Sequence, residues 1–154
     1  MLIKTRYFGV LEVDPQTILF FPDGLPGFES CHRFKLFHED VDHPIIHYLQ
    51  SLDEPELVFS VVEPVWLGLN YELPLSAGES AVLKIVAAEK KTFGHSRPEN
   101  HELLVLIILT GVQRSGEDCP RIRPLLTQPL IINPVTRRGI QLLLSRDDFD
   151  TVVQ

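Results

Sequence analysis

With 154 residues, 44% of them hydrophobic and 23% charged, the chain is long enough to bury one substantial core and too evenly mixed to be disordered or fibrous. Fourteen Lys and Arg against 21 Asp and Glu leave a formal charge of −7, which repels a phosphate backbone and argues against direct nucleic-acid binding while favouring encounter with a basic protein. Lys4 and Arg6 near the N-terminus have no apolar run behind them, unlike a signal peptide, and the most apolar stretch, LLVLIILTGV from Leu103, is about half the length of a membrane span, so a cytoplasmic protein without membrane association is expected.

Prolines spread from Pro15 to Pro134 leave little room for long helices, because each removes a backbone donor and clashes inside a helix. Between these breaks lie short runs rich in β-branched and aromatic residues: LIKTRYF (2–8), VLEV (10–13), TILFF (17–21), RFKLF (33–37), IIHYLQ (45–50) and LVFSVV (57–62). The segment AVLKIVAAEKK from Ala81 suits a helix stripe about as well as a buried strand, and strand is the preferred reading. Residues 90–102 and 113–121, rich in charge, Gly and Pro, read as surface loops. LLVLIILTG (103–111), PLIIN (129–133) and IQLLLS (140–145) complete the strands, and the first of these must be central, since an uncovered edge so apolar invites aggregation. The expected fold is mostly β: a single small antiparallel β-barrel-like domain over residues 1–154 with few or no long helices.

FFPDGLPGFE, residues 20–29, holds two successive turns. Pro22-Asp23-Gly24 ends a strand, and Pro26-Gly27 is the favoured central pair of a type II turn between Leu25 and Phe28. The knuckle lacks the helix start and the Lys, Ser or Thr of a phosphate loop, and its Asp23 and Glu29 oppose an anion. Ser30 and Cys31 sit outside any G-x-S-x-G elbow, and neighbours such as Cys31 and His32 rarely align for proton transfer, so no catalytic residue is assigned. The two cysteines, Cys31 and Cys119, match no metal-type spacing and suit a reducing compartment. His38, His43 and His47 with Glu39 and Asp40 invite a metal, but Pro44 interrupts the helical spacing of 43 and 47, and exposed loop histidines are the simpler reading; no metal and no cofactor is expected. Trp66 reads as core or rim packing. For contacts with a partner the candidates are Leu25, Phe28 and Glu29 on the knuckle and Gln50, Asp53, Glu54 and Glu56 around the LQSL turn, against the alternative that Leu25 and Phe28 plug the barrel.

GLPGFE (24–29), LQSL (49–52) followed by acidic residues and a Pro, Phe59 and Pro64, Tyr71, then PLIIN (129–133) and Gln141, in this order and spacing, resemble the FliW family of bacterial flagellar assembly factors over Thr17 to Phe149. The resemblance implies a cytoplasmic, non-enzymatic protein with a small β-barrel-like fold and two protein partners. One is flagellin; the other is CsrA, a small basic dimer that represses translation of the flagellin message and is antagonised without competition for its RNA site. Flagellin and CsrA then exchange on the factor, coupling flagellin synthesis to filament assembly. One departure stands out: the Asn-Leu-x-Ala-Pro that usually precedes the last-but-one strand is here Leu125-Leu126-Thr127-Gln128-Pro129. The competing class is a small-molecule or peptide-binding barrel with no role in flagella, which needs a lumen that the bulky strand residues leave little space for. Oligomeric state is not set by these features.

Overall fold

The computed structural model describes residues 1–5, 8–38, 41–84, 90–93, 103–112 and 121–147. Its strands are β1 (Leu2–Thr5), β2 (Gly9–Glu12), β3 (Leu19–Phe20), β4 (Arg33–His38), β5 (Ile46–Ser51), β6 (Val58–Val62), β7 (Tyr71–Pro74), β8 (Lys90–Phe93), β9 (Leu104–Val112), β10 (Arg121–Pro124), β11 (Leu130–Asn133) and β12 (Arg138–Gln141), and helix α1 spans Ala77–Leu83. Seven of them close a barrel in the order β9-β11-β12-β3-β4-β5-β6 and back to β9. Every pairing in the ring is antiparallel except β12 with β3, which meet in parallel at Arg138 and Phe20, so the expected all-antiparallel scheme is relaxed at one seam. β1 with β2, and β7 with β8, form separate antiparallel pairs.

β9 is the central strand, as its apolarity demands. Leu109 faces both Ser60 of β6 and Pro124 of β10, so both edges of β9 are occupied, and Leu104–Leu106 pair with β11. β10 and β11 share one edge, with the chain continuing past Leu125, whose N–H donates to Ile108 O at 2.8 Å, into a turn before β11. Alternation then gives β9 two buried faces. Leu106 and Ile108 join Phe21, Leu25, Phe34, Leu49, Val61, Leu130 and Ile132 inside the barrel. Val105 and Ile107 pack outside it with Tyr71, Leu75, Leu83, Ile131 and Ile140. Burying each such side chain is worth about 1.5–3 kcal/mol, so a strand buried on both faces is far more stable inside than at an edge.

The outer layer rests on the helix that a strand reading of 81–83 overlooks. Ser76 and Glu79 form a capping box: Glu79 N–H donates to Ser76 Oγ at 3.0 Å and Ser76 N–H to Glu79 Oε1 at 2.9 Å. Leu83 is fully buried, and the helix stops at Lys84, whose φ is +60°. At its C-terminus the Leu83 carbonyl accepts from Asn133 Nδ2 at 3.0 Å and Thr136 Oγ1 at 2.9 Å, so the β11–β12 turn caps α1. β7 and β10 went unmarked in the sequence, and β8 occupies the start of what reads there as a loop at 90–102; the rest of that loop, residues 94–102, and residues 113–120 lie outside the described residues. TILFF is shorter as a strand than expected, because a 3-10 turn, Pro15–Thr17, takes its first residue.

A candidate partner-binding face at one end of the barrel

β3, β5 and β12 point the same way around the ring, so the knuckle after β3, the LQSL turn after β5 and the chain leaving β12 all emerge at one end. The double turn forms as its residues dictate. Gly24 N–H donates to Phe21 O at 2.9 Å, Phe28 N–H donates to Leu25 O at 2.7 Å, and Gly24 and Gly27 take φ of +67° and +86°. Gly24 lies so close to the backbone of Glu29 that an added Cβ would meet its Cα and O at 2.7 Å. The knuckle is therefore folded tightly against itself, which brings Asp23, next to Gly24, close to Glu29.

Asp53 ties the knuckle's exit to the LQSL turn. Its Oδ2 accepts from His32 N–H at 2.8 Å and Arg33 N–H at 3.0 Å, while Oδ1 takes the Arg33 guanidinium through Nε at 3.0 Å and Nη2 at 2.9 Å. Partial burial works against the charge, but the two amides and the guanidinium outweigh it and hold the carboxyl below its ordinary value. On the neighbouring side, Phe28 packs edge-on against Phe59 with ring centroids 5.8 Å apart.

Of the residues proposed from sequence for partner contacts, two are not surface groups. Leu25 is 2% exposed and belongs to the barrel interior, because the turn Pro26-Gly27 folds it inward as a plug. Gln50 is fully buried; its Nε2 donates to the carbonyls of Ser51, Pro55 and Leu57 at 2.9–3.1 Å, shaping the turn from within. Phe28, Glu29, Glu54 and Glu56 are exposed, and Asp53 reaches the surface with its carboxylate engaged as above. Glu29 accepts from Gly27 N–H at 2.9 Å, and that amide, followed by its own, keeps its carboxyl below the ordinary range.

Residues missed as site groups lie across from the knuckle on β12 and just beyond its end. Asp23, Pro26 and Glu29 face Ile140, Gln141 and Leu143 across a cleft of about 310 Å³. Leu143 is 64% exposed although it sits in an apolar run, because Leu142 and Leu144 donate their N–H groups to Pro129 O and Thr127 O and alternation turns Leu143 outward. An apolar residue at the unpaired phase of IQLLLS is the signal that could have marked it.

Other motif residues turn out to hold the frame. Tyr71 is fully buried, its hydroxyl donates to Leu126 O at 2.6 Å, and burial pushes its pKa up to about 12. Gln141 Nε2 donates to Gln128 O at 3.1 Å, fastening the same turn between β10 and β11, the segment where the usual Asn is absent. Cys31 is buried, and His32 Nδ1 lies 3.1 Å from Phe21 O, an arrangement that serves packing. His38 and His47 face each other across β4 and β5 with rings 5.6 Å apart, His47 within the expected strand 45–50 and His38 as the last residue of β4 rather than in a loop; among the described residues no three His, Cys, Asp or Glu converge for a metal. Trp66, expected in the core or rim, is 56% exposed on a 3-10 turn, Pro64–Leu67. Among the described residues no helix is long and apolar enough to cross a membrane.

The FliW protein family model matches residues 2–154. Similar proteins include the flagellar assembly factor FliW of Azoarcus sp. (strain BH72), 36% identical with 100% of this chain and 98% of that protein aligned. That of Chromobacterium violaceum is also 36% identical, over 92% of this chain and 91% of the relative. A crystal structure of the flagellar assembly factor FliW superposes with a TM-score of 0.69 at 27% identity, covering 95% of this chain and 90% of that one. Sequence and barrel agree over the same span, and the chain belongs to the FliW family.

Proposed function

We propose that this protein is a cytoplasmic flagellar assembly factor that works without catalysis, by binding flagellin and the basic translational repressor CsrA in exchange, and that it antagonises CsrA without competing for RNA. Membership of the FliW family over the whole chain carries the reading. The barrel end supports it physically: Phe28, Glu29, Glu54 and Glu56 put an aromatic ring and carboxylates on a rigid, hydrogen-bonded platform in a chain of net charge −7. Such a face suits a basic polypeptide better than an anion. Fully buried Phe21, Phe34, Leu49, Leu106 and Leu130 occupy the barrel interior, which supports this reading over the small-molecule alternative.

Exchange needs only that one partner lower the affinity for the other, and linkage makes that coupling reciprocal. The test uses purified protein with flagellin and CsrA from the same cells, each titrated alone and then against the preformed complex of the other. Binding of both, with flagellin lowering the apparent affinity for CsrA, is expected, and the CsrA on-rate should fall as salt screens the charges over a Debye length of about 8 Å. Absence of binding to either protein overturns the reading.

A further inference from the structure

The cleft between the knuckle and the end of β12 has its exposed apolar lining from Pro26 and Leu143, over the buried Ile140, with the exposed Asp23 and Glu29 beside it. About 310 Å³ is at the small end of binding cavities, room for one or two side chains rather than a cofactor. Its position is fixed by backbone: Gly24 is pressed on Glu29, Glu29 is held by the Gly27 amide, and Leu143 is turned outward by the bonds of its neighbours. A guest must therefore combine an aliphatic stem, to cover Pro26 and Leu143, with a positive end for the two carboxylates. Lys and Arg have that shape.

We propose that this cleft is the socket for a Lys- or Arg-bearing segment of the basic polypeptide partner, with an adjacent apolar residue of the same segment lying on Leu143. The inference deepens the function proposed above and rests on it for the partner's identity alone.

Two probes test it on the full chain by backbone amide NMR: the blocked peptides acetyl-Leu-Arg-Leu-amide and acetyl-Leu-Glu-Leu-amide. The arginine peptide should shift the amides of Gly24, Gly27, Glu29, Gln141 and Leu143 in a saturable way, and the glutamate peptide should not. Asp23→Asn with Glu29→Gln should weaken the arginine peptide about fivefold. Glu29→Gln keeps an oxygen for the Gly27 amide, so the turn is retained. Leu143→Ser should weaken binding separately. Scattered shifts, or equal response to both peptides, overturn the socket. The same variants are then titrated with the basic repressor. If wild type binds neither the repressor nor flagellin while the arginine peptide still reports from the cleft, the function proposed above fails and the socket stands. If wild type binds the repressor and the well-folded variants bind it equally, the socket fails and that function stands.

Discussion

Replacing Asp53 separates its framing role from its charge. Asp53→Ala removes two acceptor bonds to the main-chain amides of His32 and Arg33 and the paired contact with the Arg33 guanidinium, whereas Arg33→Ala removes only the latter. The Asp53 side chain is 25% exposed and that of Arg33 49%, so water replaces part of each bond. An exposed ion pair then contributes about 0.2–1 kcal/mol, and each amide bond to the carboxylate about 1 kcal/mol after that allowance. Asp53→Ala should cost about 2–3 kcal/mol, or roughly 5–10 °C in Tm at this chain length, against at most about 1 kcal/mol and 3 °C for Arg33→Ala. Asp53→Asn should fall between the two, since one amide oxygen in the Oδ2 position still accepts from both main-chain amides while its NH2 group replaces the oxygen that meets the Arg33 guanidinium. The folded carboxyl titrates below its ordinary 3.8, so its stabilisation is present above that value and is lost as pH falls through the lowered one; the deficit of Asp53→Ala should shrink correspondingly in acid. Thermal and urea unfolding followed by circular dichroism at pH 7 and pH 3 measure all of this. Equal losses for Arg33→Ala and Asp53→Ala at pH 7 would refute the amide account and leave a plain surface ion pair.

Gly139→Ala should destabilise by about 2–3 kcal/mol in urea titration, because its Cβ would stand 2.5 Å from Cζ of the fully buried Phe21, and adding Phe21→Leu should recover part of the loss. Gly24→Ala should cost more than Gly27→Ala, about 3 against about 1 kcal/mol: both strain a left-handed φ, but only Gly24 also meets backbone, at 2.7 Å. Tyr71→Phe should cost about 1 kcal/mol at pH 7 by leaving Leu126 O without that donor. Because burial raises the Tyr71 pKa to about 12 from 10.0, its contribution is complete below pH 10 and declines as pH rises from there to 12; the alkaline unfolding limb of wild type should be shallower in Tyr71→Phe.

Most of the strand positions, the absence of long helices among the described residues, and both turns of the knuckle follow from local chemistry: β-branched and aromatic runs, proline, and glycines at positions that demand positive φ. The apolar run at 103–112 could be ranked as central from its composition, since hydrophobic cost at an edge depends on sequence alone. Helix α1 was also written locally, in Ser76-x-x-Glu79, but the apolar residues that follow fit two periods, and it is Asn133 and Thr136, distant in sequence, that finish the helix. The parallel seam, the role of Gly139 beneath Phe21, and the burial of Leu25 and Gln50 are different in kind. Each depends on which strand lies beside which, information carried by long-range packing rather than by any window of residues. The same holds for the cleft. Asp23 and Glu29 are neighbours through the turn, but only closure of the barrel, bringing β12 alongside β3, sets Ile140 and Leu143 opposite them.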